Sequence, residues 1–332
     1  MSSLLRDGVG RSITYLRLSL TEHCNFACRY CSPEEGSPYF AGADHLTLTE
    51  YGRLLAIFGG LGVQHVRLTG GEPLIYPRLA GLLEMLPTLA IPQWSVSTNG
   101  VLLPRWATPL REAGVRKVNI SLDTLDPQRF AWLTRGGSLA KALHGIEAAL
   151  DAGFDSVAIN VVLLDAHSVT ESTRMVETFV PQGAQVRFIE TMPLGPAGVA
   201  AIHADSPSVD AVREALENRW GALEPAPSPD HHGPATFYRL RQWPGMVGFI
   251  APWSAVFCDT CNRVRLTASG RLHYCLGQER GLDLRALLRS GAQDATIAHA
   301  IAVGIAADKP QRHHFHEDLR PSRAVYMMQL GG

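Results

Sequence analysis

Between about residue 13 and residue 190, short runs rich in β-branched residues alternate with segments in which apolar residues recur at helical spacing. This alternation is typical of parallel β/α units, in which helices cover the faces of the sheet. The sequence therefore predicts six strands separated by helices. The predicted strands are residues 15–20, 65–68, 94–97, 118–122, 157–163 and 186–189.

The first predicted helix begins after Thr47. Thr47 and Glu50 have the spacing of a capping box. Apolar residues then recur on one face of it, and three more segments show a helical pattern. Six β/α units are fewer than the eight of a closed barrel, so we expect an α/β fold, an open partial (β/α)6 barrel with its chemistry at the carboxyl ends of the strands. The apolar positions and further helices are Leu54, Leu55, Phe58, Leu61, and residues 103–113, 139–152 and 169–179.

A Pro-rich stretch at residues 225–234 interrupts this pattern and has the composition of a linker. It predicts two domains: residues 1–224, the partial barrel, and residues 225–332, a smaller α+β domain. Within the second domain the sequence predicts short strands at residues 237–240 and 247–250, and a hairpin at residues 264–266 and 272–274.

The composition supports a folded protein with a large core, since 46% of the 332 residues are hydrophobic. Lys and Arg number 30 against 31 Asp and Glu, so no global positive charge points to nucleic acid or to an anionic membrane. The chain starts without the apolar core of a signal peptide, and no run approaches the about 20 apolar residues of a membrane span. We therefore expect a cytoplasmic protein, whose thiols stay reduced.

The first of two cysteine groups comprises Cys24, Cys28 and Cys31, spaced CxxxCxxC directly after the first predicted strand. In a reducing compartment such a group indicates metal binding before disulfides. Three thiolates can ligate three irons of a 4Fe-4S cluster and leave the fourth iron open. A zinc site that uses His23, or a pair of redox thiols, is the alternative.

The second group comprises Cys258, Cys261 and Cys275 and again offers three thiolates. Arg263 and Arg265 follow at a spacing that puts both on one face of a strand. A second cluster with an open iron, beside two arginines, favours an anionic substrate that also ligates iron. The alternative is a zinc ribbon that takes the histidine two residues before the last cysteine as its fourth ligand.

The CxxxCxxC motif, followed by TGGEP at residues 69–73 after the second predicted strand, resembles the radical S-adenosylmethionine (SAM) superfamily. The resemblance implies that SAM chelates the open iron of the first cluster, and that the reduced cluster cleaves SAM to a 5′-deoxyadenosyl radical. Glycines in TGGEP would allow close backbone approach to SAM, and Glu72 would meet its ammonium group.

Over nearly its whole length the chain further resembles the family of GTP 3′,8-cyclases, which begin molybdenum cofactor biosynthesis. The resemblance implies two 4Fe-4S clusters, SAM as cofactor, and conversion of GTP to 3′,8-cyclo-7,8-dihydro-GTP through a radical at C3′ that attacks C8. The motifs that carry it, in order, are LRLSLT at residues 16–21, RLTGGEPL at 67–74, STNG at 97–100, NISLD at 119–123, RFIETM at 187–192, CNRVRLTASG at 261–270, and a terminal Gly-Gly.

The resemblance also implies three sets of site residues, which share a SAM-binding, a GTP-binding or a catalytic role. The implied SAM-binding residues are Tyr30, Gly71, Glu72, Ser121 and Met192. The implied GTP-binding residues are Arg17, Arg67, Thr98, Arg263, Val264 through its backbone, and Arg265. The implied catalytic residues are Arg17, Arg263, Arg265, Gly331 and Gly332, the last two as a tail that reaches the active site.

The implied partners are GTP, SAM, a low-potential electron donor such as flavodoxin or ferredoxin, and functionally the next enzyme, cyclic pyranopterin monophosphate synthase. A homodimer stays open, and neither nucleic acid nor a membrane is expected. Two positions depart from the family, because Ala158 and His65 stand where it tends to have lysine, and the first of those lysines contacts GTP phosphate. Arg187 fits either a substrate contact or a structural ion pair.

Two other functions stay open at this point. A divergent radical SAM enzyme could act on a peptide or on another nucleotide, although such enzymes usually carry more C-terminal cysteines. A metal scaffold without enzymatic activity would leave the TGGEP segment unexplained, and the near-neutral charge gives no support to RNA binding.

Overall fold

The computed structural model describes residues 5–33, 45–202, 206–229, 233–252, 254–313 and 327–331. Six of the twelve strands in these ranges come from the β/α units predicted above, and the other six lie from residue 224 onward. The strands are β1 (Tyr15–Ser19), β2 (His65–Thr69), β3 (Gln93–Thr98), β4 (Val115–Ser121), β5 (Ser156–Leu163), β6 (Gln185–Glu190), β7 (Glu224–Ala226), β8 (Thr236–Arg239), β9 (Met246–Ile250), β10 (Arg263–Leu266), β11 (Arg271–His273) and β12 (Gly281–Asp283).

Helices follow most of the barrel strands and cover the outside of the sheet. Among the described helices, none is both long and apolar enough to cross a membrane. The helices are α1 (Leu48–Gly60), α2 (Leu79–Met85), α3 (Leu103–Glu112), α4 (Pro127–Thr134), α5 (Leu139–Asp151), α6 (Ala166–Phe179), α7 (Gly195–Ala200), α8 (Val209–Trp220), α9 (Leu284–Arg289), α10 (Asp294–Asp308) and α11 (Met327–Leu330).

All strands belong to one sheet, in the order β12-β11-β10-β1-β2-β3-β4-β5-β6-β9-β8-β7. From β10 across to β9 each strand is parallel to its neighbour, and the pairs beyond these two strands are antiparallel. The predicted open α/β partial barrel is therefore confirmed, and its six predicted strands are β1 to β6. The four predicted helices are α1, α3, α5 and α6, with small differences at their ends.

Helix α1 shows how sequence pattern becomes packing. Thr47 Oγ1 accepts a hydrogen bond from Glu50 N (3.2 Å), while Thr47 N donates to the Glu50 carboxylate (2.7 Å), so the predicted capping box is present. Leu54, Leu55 and Phe58 then lie at most 1% exposed in the core. Burial of side chains of this size contributes about 1.5–3 kcal/mol each, which fixes the helix against the sheet.

The C-terminal part of the chain extends the barrel sheet at both edges. Strand β10 pairs with β1, and β9 pairs with β6. Residues 225–234 were predicted to be a linker, but Glu224–Ala226 form β7, an edge strand that pairs with β8. Pro225 is tolerated there because an edge strand need not donate every backbone N–H to a neighbour. Strands of both parts share one sheet, and the division into residues 1–224 and 225–332 stays a prediction.

Candidate active site between the two cysteine groups

Three arginines stand side by side on adjacent strands. In the sheet register, Arg265 of β10 pairs with Arg17 of β1, and Arg17 pairs with Arg67 of β2. Neighbouring strands lie about 4.8 Å apart, and paired residues of parallel strands share a face of the sheet. We call Arg265, Arg17 and Arg67 the arginine row.

The arginine row lines a cavity that also contains the C-terminal cysteines. Arg263 also lines the cavity. It pairs with Tyr15 and lies two residues before Arg265 on β10, so both arginine side chains are on the same face of the sheet. The sequence had predicted several of these residues as one site, and the structure brings them together. The predicted residues that line the cavity are Arg17, Arg67, Arg263, Val264, Arg265 and Met192, with all three cysteines of the second group.

The cavity concentrates positive charge. Burial, together with the charges of Arg67 and Arg263, lowers the pKa of Arg17 to about 10. The charged form of the guanidinium is therefore disfavoured relative to water, but it is still the form present at neutral pH. Arg67 Nε donates to Ser95 Oγ (3.1 Å), and its guanidinium lies 5.5 Å from the centre of the Tyr15 ring. These contacts orient the Arg67 cation without adding a full negative charge, so an anion with several oxygens would be stabilised beside it.

The N-terminal cysteines lie on a loop that helix α4 supports. Ala27 N donates to Thr134 O (3.3 Å) and Arg29 N donates to the neighbouring Leu133 O (3.0 Å). Burial raises the pKa of Cys24 to about 11. The free thiols are therefore protonated, and iron binding must displace their protons.

The TGGEP loop packs against the residues that precede Cys24. Gly71 N donates to Thr21 O (2.8 Å), and Glu72 N donates to His23 O (2.8 Å). A Cβ at residue 71 would lie 2.2 Å from His23 O, so only glycine allows this approach. Gly71 therefore holds the first cysteine loop over the strand ends.

Glu72 is a buried carboxylate with three donors: Leu74 N (3.0 Å), Thr98 Oγ1 (2.8 Å) and Asn99 N (2.7 Å). Burial raises its pKa to about 7, although these hydrogen bonds act in the opposite direction. Asn99 Nδ2 in turn lies 3.9 Å from Cys24 Sγ. Glu72 thus orients Thr98 and the loop after β3 beside the cysteines, and its contact with the SAM ammonium stays a prediction.

Tyr30 is tied to the barrel by Asp123, a residue for which the sequence alone predicts no separate role. Its hydroxyl donates to Asp123 Oδ2 (2.6 Å), while Val162 N donates to Asp123 Oδ1 (2.9 Å). The only signal for Asp123 was its place in the NISLD motif, two residues after Ser121, which is the last residue of β4. Tyr30 and Ser121 are thus placed near the carboxyl ends of β4 and β5, and their SAM-binding role stays a prediction.

The described end of the chain reaches the arginine row. Arg265 Nη1 donates to Leu330 O (3.2 Å) and also to Gly331 O. Gly331 has a positive φ of 74°, and a Cβ there would lie 2.4 Å from Thr69 Cγ2. The tail therefore lies between β10 and the TGGEP loop, while Gly332 lies outside the described residues.

Ala158 occupies an inner position between Asn119 and Gln185 on the neighbouring strands. Arg187 reaches both of these neighbours, because its Nη1 donates to Asn119 Oδ1 (3.0 Å) and its Nε donates to Gln185 Oε1 (3.2 Å). Its guanidinium also lies 5.3 Å from the Phe237 ring centre. Arg187 thus bridges the two residues that flank Ala158 in the sheet register, and it places a cation in the region where the family tends to have lysine.

His65, the other departure from the family, also lines the cavity. Its ring stacks on Tyr15 with 4.3 Å between the centroids, and its Nε2 lies 2.7 Å from Ser95 Oγ. Ser95 Oγ is the acceptor for Arg67 as well, so His65 helps to fix the serine that orients one end of the arginine row.

Two family models match successive parts of the chain: the Radical SAM superfamily matches residues 18–176, and Molybdenum Cofactor Synthesis C matches residues 184–315. A GTP 3′,8-cyclase of Pelotomaculum thermopropionicum is 43% identical over 99% of this chain and 100% of its own. GTP 3′,8-cyclase 1 of Pseudomonas aeruginosa is 43% identical over 98% of each chain. The chain belongs to the GTP 3′,8-cyclase family.

Solved structures agree with this family at the level of the fold. Streptococcus suis SuiB bound to S-adenosylmethionine has a TM-score of 0.61 and 14% identity, over 87% of this chain and 68% of that one. SuiB bound to precursor peptide SuiA gives a TM-score of 0.62 and 15% identity, over 90% and 65%. At these identities the likeness shows the radical SAM fold alone.

The cofactors of the GTP 3′,8-cyclase family are SAM and two 4Fe-4S clusters, and the donor sets suit them. All six cysteines are free thiols. Within the described ranges, no three His, Cys, Asp or Glu side chains converge closely enough to hold a single metal ion. A cluster places its three cysteine ligands on three different irons, which requires a wider spacing than a single ion does.

We expect Gly71→Ala to destabilise this member of the GTP 3′,8-cyclase family by about 1–3 kcal/mol, because the added methyl group must displace the His23 carbonyl. The shift also moves the loop that begins at Cys24, so the iron content of the first cluster should fall. Thermal unfolding of the apoprotein and iron analysis after anaerobic reconstitution measure the two effects.

Gly60→Ala is the matched control, since a Cβ there meets no heavy atom within 4 Å. It should leave both stability and iron content near those of the wild type. A Gly71→Ala protein with unchanged unfolding and full iron content would show that the close approach to His23 is not required.

Proposed function

We propose that this chain converts GTP to 3′,8-cyclo-7,8-dihydro-GTP, the first step of molybdenum cofactor biosynthesis. The observation that carries the proposal is the arginine row in a cavity that also contains the C-terminal cysteines. A triphosphate carries several negative charges, and guanidinium groups match its oxygen geometry in a bidentate manner. Full-length identity of 43% to a GTP 3′,8-cyclase supports the same reaction.

In this proposal the cavity binds GTP along its length. The arginine row and Arg263 bind the phosphates, and the backbone of Val264 contacts the base. Thr98, which is not among the described residues that line the cavity and donates to Glu72, would reach GTP only from the edge of the site. The guanine would then approach the open iron of the C-terminal cluster, with the ribose directed toward the first cysteine group. Orientation is the main task of the protein, because an unguided radical reacts with the nearest hydrogen donor.

SAM would be held by Tyr30, Gly71, Glu72, Ser121 and Met192 above the first cluster. When bound there, it supplies the 5′-deoxyadenosyl radical that takes hydrogen from C3′ of GTP. The remaining contributions come from the chain itself, which must keep water and other donors away from the reacting atoms.

The catalytic set in this proposal is Arg17, Arg263, Arg265 and the terminal Gly331 and Gly332. Arg265 already holds the tail through two backbone carbonyls. A tail at this position closes the cavity beside the TGGEP loop. Gly331 would serve as the point where the chain turns, since its positive φ of 74° disfavours other residues.

The electron needed to start each turnover would come from a low-potential donor such as flavodoxin or ferredoxin. A site for its approach is the exposed part of the first cysteine loop, where the Arg29 guanidinium lies 4.5 Å from the centre of the Trp132 ring. We also propose a cytoplasmic location and a functional link to cyclic pyranopterin monophosphate synthase. A homodimer stays open.

A radical SAM enzyme that acts on a peptide or another nucleotide is the second candidate. The observation that favours it is the fold shared with SuiB, which has been solved with a precursor peptide. Identity to SuiB is only 15%, against 43% to a GTP 3′,8-cyclase. Identity over the whole chain therefore favours GTP.

The reaction is tested by anaerobic incubation of the reconstituted protein with SAM, dithionite and either GTP or ATP. We expect GTP to stimulate 5′-deoxyadenosine formation and ATP to stimulate it little. Cys28→Ala should abolish SAM cleavage, whereas Cys261→Ala should lose the GTP product and retain some uncoupled cleavage. Chromatography of both products gives the result, and equal stimulation by ATP would remove the assignment to GTP.

The phosphate site is tested by removing the Arg187 guanidinium and then placing a lysine at residue 158. We propose that Arg187, which lines the cavity, contacts a GTP phosphate, so Arg187→Ala should lose about 1.5–3 kcal/mol of GTP binding, or about 10- to 100-fold in Kd. The double variant Arg187→Ala/Ala158→Lys should recover most of this loss, since the lysine enters the space that the guanidinium leaves. Anaerobic equilibrium dialysis of GTP measures both.

Arg241→Ala serves as the control, because this arginine pairs with Glu224 at the surface and its side chain is 85% exposed. Its GTP affinity should equal that of the wild type, and SAM affinity should be unchanged in every variant. If Arg187→Ala binds GTP as tightly as the wild type, Arg187 has only a structural role.

A further inference from the structure

Lys309 is a buried cation at the C-terminal end of α10, with 6% of its surface exposed. Its Nζ donates to Tyr274 O (2.7 Å) and Arg263 O (2.9 Å), and lies 3.7 Å from Cys261 Sγ. An ammonium group has three hydrogens, so these three acceptors match its donors. Because Tyr274 directly precedes Cys275, one ammonium joins the segments that carry two of the three cysteines.

The third cysteine is held by Arg11, near the start of the chain. Arg11 Nη1 donates to Cys258 O (2.6 Å) and to Gln311 O (2.8 Å), and Nη2 donates to Pro310 O (2.6 Å). The fully buried Asp7 side chain orients this guanidinium through an ion pair of 2.6 Å between Asp7 Oδ2 and Arg11 Nε. The same guanidinium therefore holds the cysteine and the segment that directly follows α10.

Arg11 and Lys309 form one connected arrangement, which we call the two-cation clamp. Lys309 binds the segments of Cys261 and Cys275, and the two residues after Lys309 are bound by Arg11, which also binds Cys258. Among the described residues that line the cavity, neither Arg11 nor Lys309 is found. The clamp therefore acts on the cysteines from outside the proposed substrate site.

Burial of two cations is costly unless each is well hydrogen-bonded, and here most of their donors meet backbone carbonyls or a carboxylate. An apolar side chain at residue 309 would remove the donor that the Tyr274 and Arg263 carbonyls share. A cation beside a sulfur ligand has a further effect, since positive charge and hydrogen bonds to sulfur favour the more negative, reduced form of an iron-sulfur cluster.

We propose that the two-cation clamp consists of positioning residues that hold the three C-terminal cysteines in place for the second cluster, and that the charge of Lys309 raises the reduction potential of that cluster. The inference rests on the proposed function only in that Cys258, Cys261 and Cys275 bind a 4Fe-4S cluster. It assigns neither residue a contact with GTP or SAM.

The test uses the full chain with Cys24, Cys28 and Cys31 all changed to Ala, so that only the second cluster can form. In this parent, iron and sulfide analysis gives the cluster content, and a redox titration followed by electron paramagnetic resonance gives its reduction potential. A parent without iron would contradict the proposed function itself, and the clamp with it.

Three substitutions at Lys309 separate its charge from its hydrogen bonds. Lys309→Gln keeps N–H donors and removes the charge, so it should retain iron and shift the potential to a more negative value. Lys309→Arg keeps both and should stay close to the parent. Lys309→Met removes both, and its cluster should be about 10- to 100-fold more easily lost to a chelator, the usual effect of losing a partner that supports a metal ligand.

Arg280→Gln is the matched control, because Arg280 pairs at 3.1 Å with Asp308, the residue before Lys309, yet is 72% exposed. It should change neither iron content nor potential. An iron-loaded Lys309→Gln protein with the potential of its parent would overturn the proposal and leave the proposed function intact. Should Lys309→Met fail to fold, the Gln and Arg variants still decide, since they differ in charge and both keep donors.

Discussion

The parallel pairing of β10 with β1 joins the two halves of the chain at the point where the cavity forms. The register sets Arg263 opposite Tyr15 and Arg265 opposite Arg17. A shift by one residue would turn both arginines of β10 to the other face of the sheet. Strand β1 leads into the first cysteine loop, and β10 begins two residues after Cys261, so the same pairing also sets how the two cysteine groups face each other.

This register has an electrostatic cost. Burial disfavours the charged form of Arg17, and repulsion from arginines on neighbouring strands adds to this effect, as its lowered pKa indicates. Aromatic rings and hydroxyl groups, such as those of Tyr15 and Ser95, orient the cations without neutralising them. Clustered cations therefore lower the stability of the empty site and favour binding of a polyanion there. Such a conflict between the stability of the fold and binding is common at functional sites. The surrounding apolar core must compensate for it.

Much of the fold could be predicted because its signals are local. The capping box at Thr47, the alternation of strands and helices, and the cysteine spacings are each contained in a few residues. The pairing of β10 with β1 could not be predicted in this way, since contact between distant strands has no local pattern. The proline at residue 225 predicts a linker, but proline also suits an edge strand, and only the pairing with β8 distinguishes the two. Lys309 gave no signal, as a lone lysine is usually exposed.

The substitution at Ala158 shows how register changes the meaning of a sequence difference. In the sequence, alanine in place of lysine implies the loss of a phosphate-binding cation. In the sheet, Asn119 and Gln185 flank Ala158, and the Arg187 guanidinium is held by both. Arginines of several strands line the cavity, so its charge is a property of those strands together, and we propose that Arg187 takes the role of the missing lysine.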